Sequence, residues 1–324
     1  MINILILGAA GFIGTNLTLK LAGDKNNKIT LFDRDRIDFS HMIEKMFSNV
    51  AVIRGNFDLN TDFDVITKNQ DVVFHLISTT IPSNSNKHIA EELTANIIVT
   101  VNLLEACVRN EVNKVVFLSS GGTVYGKEIV IPIKEEMPTH PISAYGLQKI
   151  TIEKVLYLYQ YLYGLDYRVI RLANPYGPYQ RPNGVLGAVT AFTYKALRGE
   201  FIQVYGDGRV IRDFIYIDDA IRGIENIVFG ENSNRTFNLG SGKGYSIKQV
   251  IETIQTTLGI EIDTKYINGR KADVPVNVLD ISRYEEAYGK LEPIGLSEGI
   301  RRTAEFLKGA YEIEVPKHIR LLGK

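Results

Sequence analysis

The stretch Ile2-Asn3-Ile4-Leu5-Ile6-Leu7-Gly8-Ala9-Ala10-Gly11-Phe12-Ile13-Gly14 decides the fold. Its apolar first half reads as a buried strand, its glycines as a tight turn, and the residues from Phe12 as the start of a helix. A strand that hands over to a helix through such a turn lets backbone N–H groups and the helix N-terminus approach a pyrophosphate with no side chain in the way. The ligand this predicts is a dinucleotide. Three glycines in a βα turn can also serve packing alone, so the next strand matters. Lys28-Ile29-Thr30-Leu31-Phe32-Asp33 reads as that strand, and its last residue is an acid 19 positions beyond Gly14. That is near the offset of about 20 at which a carboxylate accepts from the adenosine ribose hydroxyls. An anion there repels a 2′-phosphate and favours NAD over NADP, with Arg34 and Arg36 close by.

Outward from this turn, β-rich runs alternate with helical stretches: 2–7, 29–33, 50–53, 72–76, 114–119 and 167–172 as strands, with helices near 12–23, 90–110 and 144–163. Alternation of this kind predicts an α/β fold, a Rossmann-type doubly wound parallel sheet. Val72-Val73-Phe74-His75-Leu76 and Val115-Val116-Phe117-Leu118 are apolar almost throughout, as strands covered on both faces should be. After a Pro-, Gly- and Tyr-rich loop at Asn174–Pro182 and a helix at 185–198, short strands and helices mix as far as a basic tail at 317–324. The division this predicts is a cofactor domain over 1–173 with a return of the chain near 212–240, and a smaller mixed α/β lobe over 174–211 and 241–324. The two lobes are expected to share a cleft.

At 324 residues the chain exceeds the usual single-core size. Lys plus Arg number 37 and Asp plus Glu 37, so no global field exists to hold nucleic acid or an anionic membrane, and any anion must be bound locally. No run approaches the roughly 18 apolar residues that span a bilayer. The N-terminal apolar run is short and lacks a basic leader, which makes it a core strand and not a signal peptide. Cys107, the single cysteine, reads as a small buried apolar residue in a reducing cytoplasm. The five histidines show no paired ligand spacing, so no metal is expected.

The strongest catalytic signal is Ser143-Ala144-Tyr145-Gly146-Leu147-Gln148-Lys149. Four-residue spacing on a helix puts the Tyr145 hydroxyl and the Lys149 ammonium on one face. A free tyrosine has a pKa near 10, and a lysine cation together with the positive charge of an oxidised nicotinamide would stabilise its phenolate. Tyr-x-x-x-Lys alone also describes a surface pair. Its place after the strand 114–119 and Ser119-Ser120-Gly121-Gly122-Thr123-Val124-Tyr125-Gly126 argues for the functional pair. Tyr157, Tyr159, Tyr161 and Tyr163 alternate around the same helix and read as packing or subunit-contact residues.

With these motifs in order, the chain resembles the extended short-chain dehydrogenase/reductase superfamily, and within it the nucleotide-sugar epimerases typified by UDP-galactose 4-epimerase. The resemblance runs from Gly8 to about Asp280. It rests further on Asn96 with Thr100 and Leu103-Leu104-Glu105-Ala106, on Arg171-Leu172-Ala173-Asn174-Pro175-Tyr176-Gly177-Pro178, and on Tyr205-Gly206-Asp207-Gly208 with Arg212-Asp213-Phe214. Phe237-Asn238-Leu239-Gly240-Ser241-Gly242 and Arg270-Lys271-Ala272-Asp273 complete it.

The resemblance implies an NAD-dependent nucleotide-sugar 4-epimerase acting on a UDP-hexose or UDP-N-acetylhexosamine through a 4-keto sugar, with Tyr145 as proton acceptor. It implies NAD contacts from Gly8, Gly11, Phe12, Ile13, Gly14, Asp33, Asn56, Phe57, Leu76, Asn96, Ser119, Tyr145, Lys149 and Leu172. Arg212 and Arg270 become the cations on the diphosphate, Asn174 a further partner of it, Gln203 and Tyr205 neighbours of the base, and Asp273 a partner of the nucleotide ribose. Thr80 and Asn277 become further substrate contacts, Asn277 near the sugar C2 group, where asparagine leaves room for an N-acetyl substituent. A homodimer is implied too, joined through helices 94–109 and 144–163 with Leu103, Leu104, Tyr157 and Tyr161 in contact. Two departures stand out. Gly121 occupies the place of a Ser or Thr that bonds the reacting hydroxyl, which passes the role to Thr123, to Ser120 or to water. Asn56 replaces an acid that touches the adenine. A decarboxylase or 4-keto reductase would use the same Tyr/Lys pair. A 4,6-dehydratase would need an acid pair where Gly122 and Thr123 stand, and a non-catalytic dinucleotide-binding sensor would not need the substrate-side cations.

Overall fold

The computed structural model describes residues 1–34, 43, 45–78, 86–127, 130–183, 187–269 and 274–313. The chain begins β1 (Ile2–Leu7), α1 (Phe12–Ala22), β2 (Asn27–Asp33), β3 (Val50–Arg54), α2 (Phe63–Thr67), β4 (Val72–His75) and α3 (Ile89–Leu93). A π-helical turn (Thr94–Ile98) joins α3 to α4 (Val99–Arg109), and β5 (Lys114–Ser120), α5 (Ala144–Tyr163) and β6 (Asp166–Leu172) follow. Then come β7 (Asn174–Tyr176), α6 (Ala188–Leu197), β8 (Ile202–Tyr205), β9 (Ile211–Tyr216), α7 (Ile217–Phe229), β10 (Thr236–Leu239), β11 (Gly244–Ser246) and α8 (Ile247–Leu258). β12 (Thr264–Ile267), β13 (Val276–Asn277), α9 (Ser282–Tyr288) and α10 (Leu296–Ala310) complete the described elements.

Seven strands form one sheet in the order β10-β6-β5-β4-β1-β2-β3, with parallel ladders joining β1 to β2 and β4, β2 to β3, and β4 to β5. The order reverses between β1 and β4, which makes that the switch point of a doubly wound sheet. Ile4 to Leu7 and Val72 to His75 are buried without alternation. Continuous apolar runs therefore found cover on both faces, as expected. The core on one face joins Leu5, Leu7, Val73 and Phe117 to Val99, Leu103, Leu104 and Cys107 of α4 and to Ile152 and Leu156 of α5. Burial pushes the Cys107 thiol up to about 12, so it is inert as a nucleophile.

Two compact units divide the chain. The first comprises 1–126, 138–171 and 224–237, and the second 127–137, 172–223 and 238–324. In the second, β9 carries β11 antiparallel on one side, β13 parallel on the other and β7 in a parallel pair, while β8 and β12 form a separate two-stranded sheet.

Leu103 and Leu104 require a correction. Both are 0% exposed inside the chain's own core, so neither is available to a partner subunit. Tyr159 is also buried, whereas Tyr157 and Tyr161 stand 58% and 75% exposed. Among the described residues, no helix is long and apolar enough to cross a membrane, and no cluster of three His, Cys, Asp or Glu could hold a metal.

Candidate functional site

In the first unit the expected cofactor residues gather at the C-terminal ends of parallel strands. Gly8 follows β1, Asp33 ends β2, Asn56 follows β3, Leu76 follows β4, and Ser119 lies at the end of β5. In sheets of this type, ligands bind outside the carboxyl ends at the switch point. Gly8 has φ +87°, a left-handed conformation that a Cβ would strain, and its N–H donates to the Phe32 carbonyl at 2.9 Å. A Cβ on Gly14 would press on the Gly8 carbonyl and sit 2.7 Å from the Ala9 Cα, so only glycine lets α1 pack this close to β1. Gly11 is the N-cap of α1 and no side chain caps that end, which leaves the first-turn N–H groups of Phe12 and Ile13 to an anion. Asp33 Oδ2 accepts from the Ala10 N–H at 2.9 Å and Oδ1 from the Arg34 N–H at 2.7 Å, so each oxygen keeps a lone pair for a ribose hydroxyl. These features fit a dinucleotide. They also explain the acid at Asp33 twice over, since it holds the glycine turn as well.

Phe57 packs edge-on against Phe63 at 5.4 Å and against His75 at 5.1 Å, while Asn56 is exposed. Leu76 donates its N–H to the Leu7 carbonyl and runs beside Gly8. Asn96 is buried in the π-helical turn, a local widening of the helix that often marks functional positions. The turn is tied down: His75 Nε2 lies 2.9 Å from Thr100 Oγ1, which donates to the Asn96 carbonyl at 2.6 Å. Since the threonine hydroxyl donates its proton there, it accepts from His75, whose Nε2 carries the hydrogen. Burial, helped by the Lys149 cation, pushes the His75 pKa down to about 3, so the ring stays neutral. Leu172, on β6, is buried.

Tyr145 and Lys149 lie on one face of α5, whose first turn is capped by Ser143 accepting from the Gly146 N–H. Lys149 Nζ donates to the Leu118 carbonyl at 2.8 Å and stands 4.6 Å from the Phe117 ring centre and 5.6 Å from that of Tyr145. Burial pushes the Tyr145 hydroxyl up to about 12 and pulls Lys149 down to about 8, with the Glu153 carboxylate opposing the second shift. Tyr145 is therefore an acid in the chain by itself and needs positive charge beside its oxygen to become a base.

The glycine after Tyr145 has a specific job. A Cβ on Gly146 would sit 2.5 Å from the Thr123 carbonyl oxygen and 2.8 Å from Pro141, so glycine alone lets the first turn of α5 close on the Gly121-Gly122-Thr123 loop. Thr123 Oγ1 is buried there with no hydrogen-bond partner. Ser120, half-buried at the end of β5, is in the same loop. Ser119, by contrast, is occupied: its Oγ donates to Glu153 Oε1 at 2.5 Å.

In the second unit, Arg212 is cross-strand neighbour to Tyr245 on β11 and to Asn277 on β13. Its Nη1 donates to the Val274 carbonyl at 2.6 Å. Asn277 is 1% exposed, on a strand. The Asn174 side-chain amide donates to the Asp213 carbonyl at 2.9 Å. Gln203 and Tyr205 face solvent on β8, paired with Lys265 and Ile267. Asp213, part of the Arg212-Asp213-Phe214 motif but with no role assigned to it from sequence, is wholly buried, and its carboxylate accepts from the Ser241 N–H and hydroxyl and from the Gly242 N–H. It thereby anchors the loop 240–242 to the strand that carries Arg212. Thr80, Arg270 and Asp273 lie outside the described residues.

A strand–glycine-turn–helix, a terminal acid on β2 and a Tyr/Lys helix face define a dinucleotide-dependent enzyme of the short-chain dehydrogenase type. Residues 4–240 match the family described as the NAD dependent epimerase/dehydratase family, and the chain belongs to it. It is 32% identical over 306 residues to a UDP-glucose 4-epimerase of Mycolicibacterium smegmatis, spanning 94% of this chain and 98% of that protein. Among solved structures it is similar to the UDP-glucose 4-epimerase of Thermotoga maritima with UDP-glucose, at TM-score 0.88 and 32% identity over 96% of this chain and 100% of the other. The UDP-N-acetylglucosamine 4-epimerase of Methanobrevibacter ruminantium, in complex with UDP-N-acetylmuramic acid, also superposes at 0.88, with 29% identity over 95% and 98% of the two chains.

Proposed function

We propose that this chain interconverts UDP-sugars epimeric at C4, accepting a UDP-hexose or UDP-N-acetylhexosamine, with NAD as resident cofactor. The observation that carries the reading is the start of α5, where Tyr145 and Lys149 share a face and Gly146 lets the first turn close on the carbonyl of Thr123, a residue whose hydroxyl is buried and partnerless. Bound NAD would supply a reversible two-electron acceptor. The Gly8–Gly14 turn would hold its pyrophosphate and Asp33 its adenosine ribose. Tyr145 would take the proton from the sugar 4-hydroxyl, with the Lys149 cation favouring the phenolate, and return it after the keto sugar has turned over. Thr123 would bond the reacting hydroxyl in place of the side chain that Gly121 lacks. On the substrate side, Arg212 with Arg270 would hold the diphosphate, since planar guanidinium groups match phosphate oxygens. Asn174 would assist them, Gln203 and Tyr205 would neighbour the base, Asp273 the ribose, and Thr80 and Asn277 the sugar.

A dehydratase is disfavoured by Gly122 and Thr123, which cannot supply the acid pair that elimination needs. We place the enzyme in the cytoplasm as a homodimer, with exposed Tyr157 and Tyr161 of α5 at the interface; sedimentation as a monomer at micromolar concentration would overturn the dimer. Incubation of the purified protein with UDP-glucose, UDP-N-acetylglucosamine and dTDP-glucose, with the products resolved, tests the function. Recovery of the C4 epimer supports it, and a product that has lost water or carbon dioxide refutes it.

A further inference from the structure

The Tyr145–Lys149 face of α5 continues one turn further, to Glu153. Its carboxylate is 6% exposed and closes a network within the first unit. Arg171 donates from Nη2 to Oε2 at 2.7 Å and from Nε to both oxygens at 3.2 Å, while its Nη1 donates to the Tyr125 hydroxyl at 2.9 Å. Ser119 donates to Oε1. Two consecutive residues of β5 are thus pinned to one helix face, Leu118 by Lys149 and Ser119 by Glu153. Burying an Arg–Glu pair is costly, and apolar side chains of like volume often pack as stably, so packing alone does not account for it.

We propose that Glu153 is a positioning residue for the Tyr145/Lys149 pair: its carboxylate, held by Arg171 and Ser119, fixes the end of β5, and with it the carbonyl that Lys149 bonds, against α5. This rests on the reading of Tyr145 and Lys149 as the proton-transfer pair. The groups that act on Lys149 are Tyr145 and Glu153 on its own helix, neutral His75 on β4 and the Phe117 ring on β5, while Arg171 on β6 and Tyr125 lie on the far side of the network, through Glu153. Of these, the Glu153 carboxylate is the one whose field raises the Lys149 pKa against the effect of burial. Without it the ammonium loses its proton nearer neutral pH, and the charge that favours the phenolate goes with it.

The test compares native protein with Glu153→Gln and with Glu153→Gln/Arg171→Gln, the second avoiding a buried uncompensated guanidinium should the first not fold. Two quantities are followed against pH: kcat on a UDP-sugar, and the ¹³Cε resonance of Lys149, assigned by its loss in Lys149→Arg. In Glu153→Gln the Lys149 midpoint and the alkaline limb of kcat should move down by about one pH unit, the scale for losing one nearby opposite charge; in the double variant, which also removes the paired Arg171 cation, both should move down by less. A Lys149 midpoint unchanged in Glu153→Gln, or raised in the double variant should the single one not fold, overturns the proposal whatever happens to the melting temperature. The resonance titrates whether or not the substrate is a UDP-sugar, so absence of turnover in the native chain refutes the functional reading and leaves Glu153 to be judged by NMR.

Discussion

Thr123→Val should move stability and catalysis in opposite directions. The hydroxyl is buried without a partner, and a donor–acceptor left so costs about 1–3 kcal/mol. Valine keeps the shape and removes that cost, so the unliganded protein should gain ~1 kcal/mol, or roughly 2–4 °C in melting temperature for a domain of this size. With substrate bound, the same change removes the hydrogen bond to the reacting hydroxyl that Gly121 cannot make. A loss of about 1–3 kcal/mol in the transition state corresponds to roughly a 5- to 150-fold fall in kcat/KM. Thermal denaturation without ligand and initial rates on a UDP-hexose read the two effects separately. A melting temperature several degrees lower, with kcat/KM kept within twofold, refutes the reasoning: the hydroxyl would then have a structural partner and no substrate. Ser120→Ala is the companion variant, and a selective loss of rate there would transfer the role to Ser120.

Tyr145→Phe should lower kcat by about 10²–10⁴-fold, the scale for a positioned acid–base group, while NAD content after purification stays near native; near-normal turnover would remove Tyr145 as the base. Because burial holds Lys149 at about 8, the ammonium is present below that pH and kcat should fall as pH rises through it, a limb that is absent if Lys149 stays charged to pH 10. His75 stays neutral down to about pH 3 in the folded chain but takes a proton near 6.5 when unfolded, so it stabilises the fold above 6.5 and loses that contribution as pH falls. At pH 5 the loss should reach ~2 kcal/mol, and His75→Phe should flatten the melting-temperature profile between pH 6.5 and 5. The native chain should turn over UDP-N-acetylglucosamine as well as UDP-glucose, with Asn277→Tyr shifting the ratio of kcat/KM values towards the plain hexose by about 1–3 kcal/mol; a native enzyme inactive on the N-acetyl sugar removes Asn277 from the argument.

The sheet was legible because its strands are apolar on both faces, and the turn Gly8–Gly14 was legible because only glycine satisfies its geometry. Short elements were not. β10 (Thr-Phe-Asn-Leu) and α2 (Phe-Asp-Val-Ile-Thr) are too brief to display a period, and although the sequence predicts a return of the chain near 212–240, no local pattern encodes the long-range pairing of β10. Leu103 and Leu104 misled for a related reason: apolar residues occur on more than one side of α4, and the buried face is chosen by what packs on it.

The buried acids were harder still, because their partners are fixed by tertiary structure. Glu153 meets Arg171 18 positions away, and Asp213 meets Ser241 28 positions away. In sequence each is an acid beside motif residues, indistinguishable from a solvated charge. Asn277 shows how register then changes the meaning of a motif position. Counted from Asp273, it is a loop residue near a sugar; paired with Arg212 in the parallel ladder, it shares that arginine's sheet face and is 1% exposed. A tyrosine there has to displace neighbours, at about 1–3 kcal/mol for an overpacked site. Sugar selection at this position would therefore act through the placement of Arg212 as well as through space at C2. Asn277→Tyr should then raise KM for every UDP-sugar in addition to shifting the ratio between them, and a changed ratio at constant KM for UDP-glucose would separate the residue from Arg212.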